Sequence, residues 1–292
     1  VDSEQLFVAR EDELATLFAA NAAAEAGRFV AVEVIGSSGM GKTALIREFL
    51  GRLAARSDAA PLVLEARCNP HESIPYKAFD AAIDDLTRYW VGLDPEAALA
   101  LCPDEGVEAL TLLFPELRRV PVLAARSGDS APRGDPRTLR NSGFQALQRV
   151  LARLGARQSV VLWIDDLQWA DADSVALVEG VFGGGEVPPL HMVLSRRPDD
   201  AATDPALLAA IARAQRQGLA FRVDLAPLAE DAALALARGI TMRSGVDVAS
   251  IVAEAAGVPY LVAELAHFAT GRGDEHGEPQ VGTTAGSLMN ER

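Results

Sequence analysis

Residues Gly36-Ser37-Ser38-Gly39-Met40-Gly41-Lys42-Thr43 read G-x-x-x-x-G-K-T, and no other stretch limits the fold of this chain so tightly. The run before it, 29–35 (FVAVEVI), is apolar and β-branched and reads as a strand. The run after it, Thr43 to Arg56, reads as a helix with Leu45, Ile46, Phe49, Leu50 and Leu53 on one face. A strand, a glycine-rich turn and a helix start in that order form a phosphate-binding loop. The glycines let the backbone curl until successive N–H groups converge on one phosphate. The helix start adds a partial positive charge at the same place. Lys42 is expected to reach the β- and γ-phosphates, and Thr43 to hold Mg²⁺ through its hydroxyl. Residues 36–43 together are the expected cradle for ATP and Mg²⁺.

A second signal lies downstream. Ser159-Val160-Val161-Leu162-Trp163-Ile164-Asp165-Asp166 is an apolar run that ends in two acids, the pattern of a buried parallel strand. A carboxylate at such a strand end suits Mg²⁺, and Asp165 is expected to order the ion through water. Asp166, one residue on, is expected to polarise the attacking water. Asp171 fits a helix cap better than direct chemistry, with Asp173 and Ser174 in the first turn of the helix that follows. Gln168 and Trp169 are expected to shape the mouth of the site.

The rest of the chain is consistent with an α/β core and a smaller helical domain. Strands are expected at 29–35, 61–66, 160–164, 190–195 and 220–225, with intervening helices covering a parallel five-stranded sheet. Residues 74–125 read as a helical insertion in which Leu99, Leu101, Leu110, Leu113, Phe114 and Leu117 pack, and 126–137 as a mobile loop. Thr138 to Leu154 reads as a helix, and Gly183-Gly184-Gly185 as a flexible turn. The expected division is a core at 1–226 (insertion at about 74–137), a helical lid at 227–270 and a linker at 271–292. The first residue is valine, which suggests a fragment or a processed piece.

Composition narrows the function classes. The chain has 292 residues, 49% of them hydrophobic, and a net charge of −14. No run is long and apolar enough for a membrane span, and no leader is evident at the N-terminus. No basic stripe marks a nucleic-acid footprint, since Arg118-Arg119 and Arg196-Arg197 are pairs only. Cys68 and Cys102 lack zinc-type spacing and read as reduced core thiols of a cytoplasmic protein. His71, His191 and His267 have no partner at metal-ligand spacing. Glu33 sits within an otherwise apolar strand for no reason the sequence supplies.

I-D-D-L-Q-W-A-D at 164–171, V-A-R-E-D-E-L at 8–14 and G-S-S-G-M-G-K-T together resemble the signal-transduction (STAND) branch of the AAA+-like P-loop ATPases. The stretch from Arg67 to Ala78 looks most like the subgroup fused to bacterial serine/threonine kinases; large LuxR-type and MalT-like regulators carry related regions. The likeness covers about residues 5–270. It implies that His191 to Arg197 is the fourth core strand ending in the family's T-x-R sensor, with Ser195 in place of threonine. Arg197 then touches the γ-phosphate, and Arg196 is the fallback. Gly257-Val258-Pro259 matches a G-x-P element that brings the helical subdomain, through Pro259, over the nucleotide; a plain helix-end glycine remains the alternative. Val8 and Arg10 stand where the family contacts adenine or phosphate, with Ala9 replacing the commoner glycine.

Three functions are compatible with these residues. The leading one is a nucleotide-driven regulatory switch that hydrolyses ATP slowly and acts on other domains of a longer protein. A ring-forming AAA+ or origin-recognition-like ATPase would instead offer an arginine, such as Arg140, Arg149 or Arg153, to a neighbouring subunit. A nucleotide-binding module without turnover would need every assigned residue except Asp166. Kinase H-R-D and D-F-G motifs are absent, as is the guanine-reading N-K-x-D.

Overall fold

The computed structural model describes residues 6–56, 60–69, 75–128, 135–183, 187–198, 205–242 and 245–271. Helix α1 (Glu11–Glu25) leads into β1 (Val30–Ile35), α2 (Lys42–Arg56) and β2 (Leu62–Arg67). Four helices follow: α3 (Asp80–Val91), α4 (Pro95–Leu101), α5 (Val107–Leu113) and α6 (Pro121–Ser127). The chain continues through α7 (Pro136–Gly155), β3 (Val160–Asp165), α8 (Ala172–Phe182), β4 (His191–Arg196), α9 (Pro205–Gln217) and β5 (Leu219–Asp224). It ends in α10 (Glu230–Thr241), α11 (Val248–Ala255) and α12 (Pro259–Ala269). By contact it forms two compact units. A sheet unit comprises 15–35 and 49–223; a loop unit comprises 1–14, 36–48 and 224–292. Expectation places divisions after 226 and after 270; by contact, the N-terminal lead and the glycine loop group with the C-terminal helices.

In the sheet unit the strand order is β2-β3-β4-β1-β5. The pairs β2–β3, β3–β4 and β4–β1 run parallel. Each strand lies within one residue of its expected position, because each is a short apolar run bounded by turn residues. All six residues of β3 are buried, as befits a strand covered on both faces. Ile35 and Asp165 are the last residues of β1 and β3, so both strands end at the same edge of the sheet with β4 between them.

The insertion is helical, and most of its expected packing residues are internal: Leu101, Leu110, Phe114 and Leu117 are buried, and Leu113 packs half-buried against them. Leu99 is a correction, being 57% exposed. Two residues along a helix turn the side chain by about 200°, so in short α4 Leu101 faces in and Leu99 out. Two helix limits also differ from expectation. Helix α6 runs to Ser127, and α7 starts at Pro136 because Asp135 caps it, its carboxylate accepting from the Thr138 N–H at 3.2 Å. The signal was the Asp-Pro pair, a cap residue followed by a proline at the first helical position. The remainder of the expected loop (129–134), His71, Gly184, Gly185 and most of the expected linker (272–292) lie outside the described residues.

In the loop unit, α10, α11 and α12 bury Leu236, Ile251, Val252, Leu261, Val262 and Leu265 in a small core of their own, and Val8 packs against it. Among the described residues no helix is long and apolar enough to cross a membrane.

His191, the first residue of β4, is fully buried in the sheet unit with its ring edge-on to Phe49 at 5.5 Å. Neither ring nitrogen has a hydrogen-bond partner. Burial pushes its pKa down to about 3. The folded chain therefore keeps the ring neutral where an unfolded chain would protonate it. Its contribution is intact above about pH 6.5 and is lost at about 1.4 kcal/mol per pH unit as pH falls toward the folded value. Replacing His191 by methionine is expected to flatten this acid limb of stability, and to raise stability at pH 7.5 by about 1 kcal/mol by removing a buried unpaired N–H. Urea denaturation across pH 4 to 8 measures both.

Candidate functional site

The glycine loop is built within the loop unit. Gly39 and Gly41 have φ of 78° and 87°, a left-handed conformation that favours glycine. Gly39 is constrained twice, since an added Cβ would also lie 3.0 Å from the Tyr260 Cβ. Its carbonyl accepts a hydrogen bond from the Tyr260 N–H at 3.1 Å. Met40 N–H donates to the Ser37 carbonyl at 3.3 Å, which closes the turn before α2 starts at Lys42. The Lys42 side chain folds back across the loop; its Nζ donates to the carbonyls of Gly36 (2.8 Å) and Ser37 (3.2 Å), and the residue is only 8% exposed. The structure thus brings the Lys42 ammonium, the curled main chain and the start of α2 together.

Three further expected residues belong to the same unit. Pro259 is the first residue of α12, next to Tyr260, whose N–H reaches the loop. Gly257 directly follows Ala256, the cap of α11, with φ of 74°, the left-handed place a helix-end glycine takes, and its carbonyl accepts from the Leu228 N–H at 2.8 Å. Arg10 donates to the Ala226 carbonyl and to Glu13 at 2.9 Å. Ala9 and Arg10 both have positive φ, 56° and 71°, so alanine here adopts the conformation for which glycine is the commoner choice.

The acids lie in the sheet unit. Asp165, the last residue of β3, is 5% exposed. Ser195 Oγ, from β4, donates to its Oδ1, while the Asp166 N–H donates to Ser195 Oγ at 3.1 Å. One hydroxyl thus holds the Asp165 carboxylate and the main chain of Asp166. Asp166 is left-handed (φ 54°), which turns the chain out of the strand. Its Oδ1 accepts from Gln168 Nε2 at 3.1 Å, and its Oδ2 lies 3.6 Å from the Arg67 guanidinium at the end of β2. Asp171 caps α8 as expected, accepting from the N–H groups of Asp173 (2.8 Å) and Ser174 (2.9 Å).

The two arginines after β4 take different places. Arg196 Nε pairs with Glu33 at 3.0 Å, and Glu33 also accepts from Gln215 at 2.7 Å. This accounts for an acid in the central strand: Arg196 is in register with Ile35, two residues along the same face from Glu33. Arg197 lies one residue beyond the strand, with its guanidinium 6.0 Å from the centre of the Trp169 ring. Its N–H donates to Gln168 Oε1 at 3.3 Å. The sequence carried no warning of Arg67 or of the Gln168 bridge; Ser195 was visible only as a variant of the sensor threonine.

The sequence pattern of the AAA ATPase domain matches residues 6–195, which include the glycine loop and both acids. The chain belongs to the AAA ATPase domain family. Among solved structures, this AAA ATPase domain is similar to a STAND protein with a tetratricopeptide repeat sensor from Pyrococcus horikoshii, at 15% identity and a TM-score of 0.48 over 95% of this chain and 31% of the other. It is also similar to a Walker-type ATPase of Pyrococcus abyssi (14% identity, TM-score 0.43, 92% of this chain and 69% of the other). A third similarity is to Drosophila ORC bound to DNA (17% identity, TM-score 0.44, 92% of this chain and 61% of the other). The chain thus spans about a third of the Pyrococcus horikoshii protein. No curated protein matches it.

The arrangement around β4 predicts different fates for the two arginine variants. Glu33 and Arg196 are 17% and 16% exposed, so Arg196→Ala leaves a largely buried carboxylate without its cation and is expected to cost about 2–3 kcal/mol. Arg197→Ala is expected to change stability by less than about 0.5 kcal/mol. Urea midpoints of the two variants measure the contrast.

Proposed function

We propose that this AAA ATPase domain binds ATP with Mg²⁺ and hydrolyses it slowly to ADP and phosphate, as the nucleotide-dependent switch of a longer cytoplasmic signalling protein. Residues 36–43 hold the phosphates, with Lys42 at the β- and γ-positions. The hydroxyl of Thr43 and the carboxylate of Asp165 are hard oxygen donors of the kind Mg²⁺ prefers. That ion usually takes few protein ligands and completes its shell with phosphate and water. The metal supplies charge neutralisation at the phosphates. Asp166 polarises the attacking water, Arg197 senses the γ-phosphate, and Val8, Arg10 and Pro259 contact the nucleotide. The likeness of Arg67 to Ala78 to the kinase-fused subgroup favours a kinase as the output, with a DNA-binding regulator as the alternative.

The observation that carries the switch reading is the hydrogen bond from Tyr260 N–H to the Gly39 carbonyl. It joins the loop that would hold phosphate to the first turn of α12, so a change of loop conformation acts directly on the C-terminal helices. A switch needs such a coupled element, whereas a passive binding module does not. The ring-forming reading is weaker, because Arg149 and Arg153 each have an acid of their own chain in reach, Glu105 at 3.9 Å and Asp104 respectively.

Calorimetry and phosphate release together test the assignment. Lys42→Ala is expected to abolish measurable ATP binding. Asp166→Asn is expected to keep affinity within about twofold while slowing phosphate release by about 10²-fold or more. Undiminished binding by the lysine variant would refute the phosphate site, and full turnover by the asparagine variant would favour another base.

A further inference from the structure

We propose that Gln168 is the residue that positions Asp166, by tying its carboxylate to the main chain of Arg197. The inference rests on the reading of Asp166 as the group that polarises water. Gln168 is 1% exposed, and both ends of its amide are used. Nε2 donates to Asp166 Oδ1 at 3.1 Å, and Oε1 accepts from the Arg197 N–H at 3.3 Å. Only one orientation of the amide satisfies both contacts. The reverse would set a carbonyl oxygen against a carboxylate and an NH₂ group against an N–H. No other neutral side chain combines a donor and an acceptor separated in this way at comparable length. Asparagine is one methylene too short, and glutamate has no donor when ionised.

The consequence concerns geometry and charge together. Asp166 is in a left-handed conformation immediately after β3, and its Oδ2 faces the exposed guanidinium of Arg67 across 3.6 Å. The charged groups around it are thus Arg67 from β2, Asp165 at its side and Arg197 beyond Gln168. Left to the Arg67 attraction alone, the carboxylate has one exposed, solvated partner. The Gln168 amide supplies a buried, fixed one and keeps Oδ1 from rotating. The same amide holds the first residue after β4, so the proposed base and the proposed sensor are set by one side chain. Displacing Arg197 would pull on Gln168 and alter the support of Asp166.

Steady-state phosphate release against ATP concentration for Gln168→Met and Gln168→Glu, beside Asp166→Asn, tests this. Methionine keeps the length and loses both hydrogen bonds; the expected result is a kcat lowered about 10-fold or more with KM for ATP within about twofold. Glutamate retains an acceptor for the Arg197 N–H but opposes two carboxylates. Its kcat is expected to fall at least as far as that of the methionine variant with KM for ATP again within about twofold, a split that a general loss of packing would not give. If Asp166→Asn slows release while both folded Gln168 variants keep the native kcat and KM, the positioning role is overturned and the base assignment stands. If Asp166→Asn turns over at the native rate, the base assignment fails and the positioning role with it. Hydrogen exchange of the Arg197 amide in the native protein needs no variant. Slow exchange is expected although the residue lies outside the strand, and exchange at the rate of an open amide would overturn the bridge.

Discussion

The hydroxyl of Ser195 is the contact on which the geometry at the end of β3 depends. It lies on β4, fully buried, and serves two residues of the neighbouring strand end at once, donating to Asp165 and accepting from the Asp166 N–H. A carboxylate buried to the extent of Asp165 is costly unless hydrogen-bonded, and a hydroxyl can only donate to one acceptor at a time. The bond therefore selects one side-chain direction for Asp165, and the N–H bond selects the direction in which the chain leaves β3. From that exit follow the left-handed Asp166, the short turn bearing Gln168 and Trp169, and the Asp171 cap of α8. Threonine at this position would offer the same hydroxyl.

The glycine loop follows a different logic, in which main chain does the work. Gly39 and Gly41 permit a curl that other residues resist, and the curl turns carbonyls toward Lys42 and, at Gly39, toward Tyr260. The α12 start at Pro259 has no N–H to offer; its neighbour Tyr260 does, and that N–H goes to the loop. Such a contact is sensitive to backbone conformation and indifferent to most side-chain changes. A ligand that reshapes the loop would be read by α12 through it.

Much of this was legible beforehand, for identifiable reasons. The loop, the strand ending in Asp165 and the Asp171 cap are local: each is specified by neighbouring residues and by backbone rules that operate over a few positions. Leu99 was misread because leucines two positions apart on a helix point to opposite sides. Glu33 was opaque because its reason lies 163 residues away, at Arg196, and becomes visible only with the β1–β4 register. The Arg67 contact and the Gln168 bridge were hidden for the same reason. Their partners are set by strand order and by a turn too irregular for periodicity to report.

The central claim is that the Asp165 carboxylate, fixed by Ser195, serves the metal that accompanies the nucleotide. Titration of a fluorescent ATP analogue with and without Mg²⁺, in the native chain and in Asp165→Asn, addresses it most directly. Mg²⁺ is expected to tighten binding by about tenfold or more in the native chain and by about twofold at most in the variant, with metal-free affinities alike. An asparagine variant that keeps the full metal dependence would contradict the account.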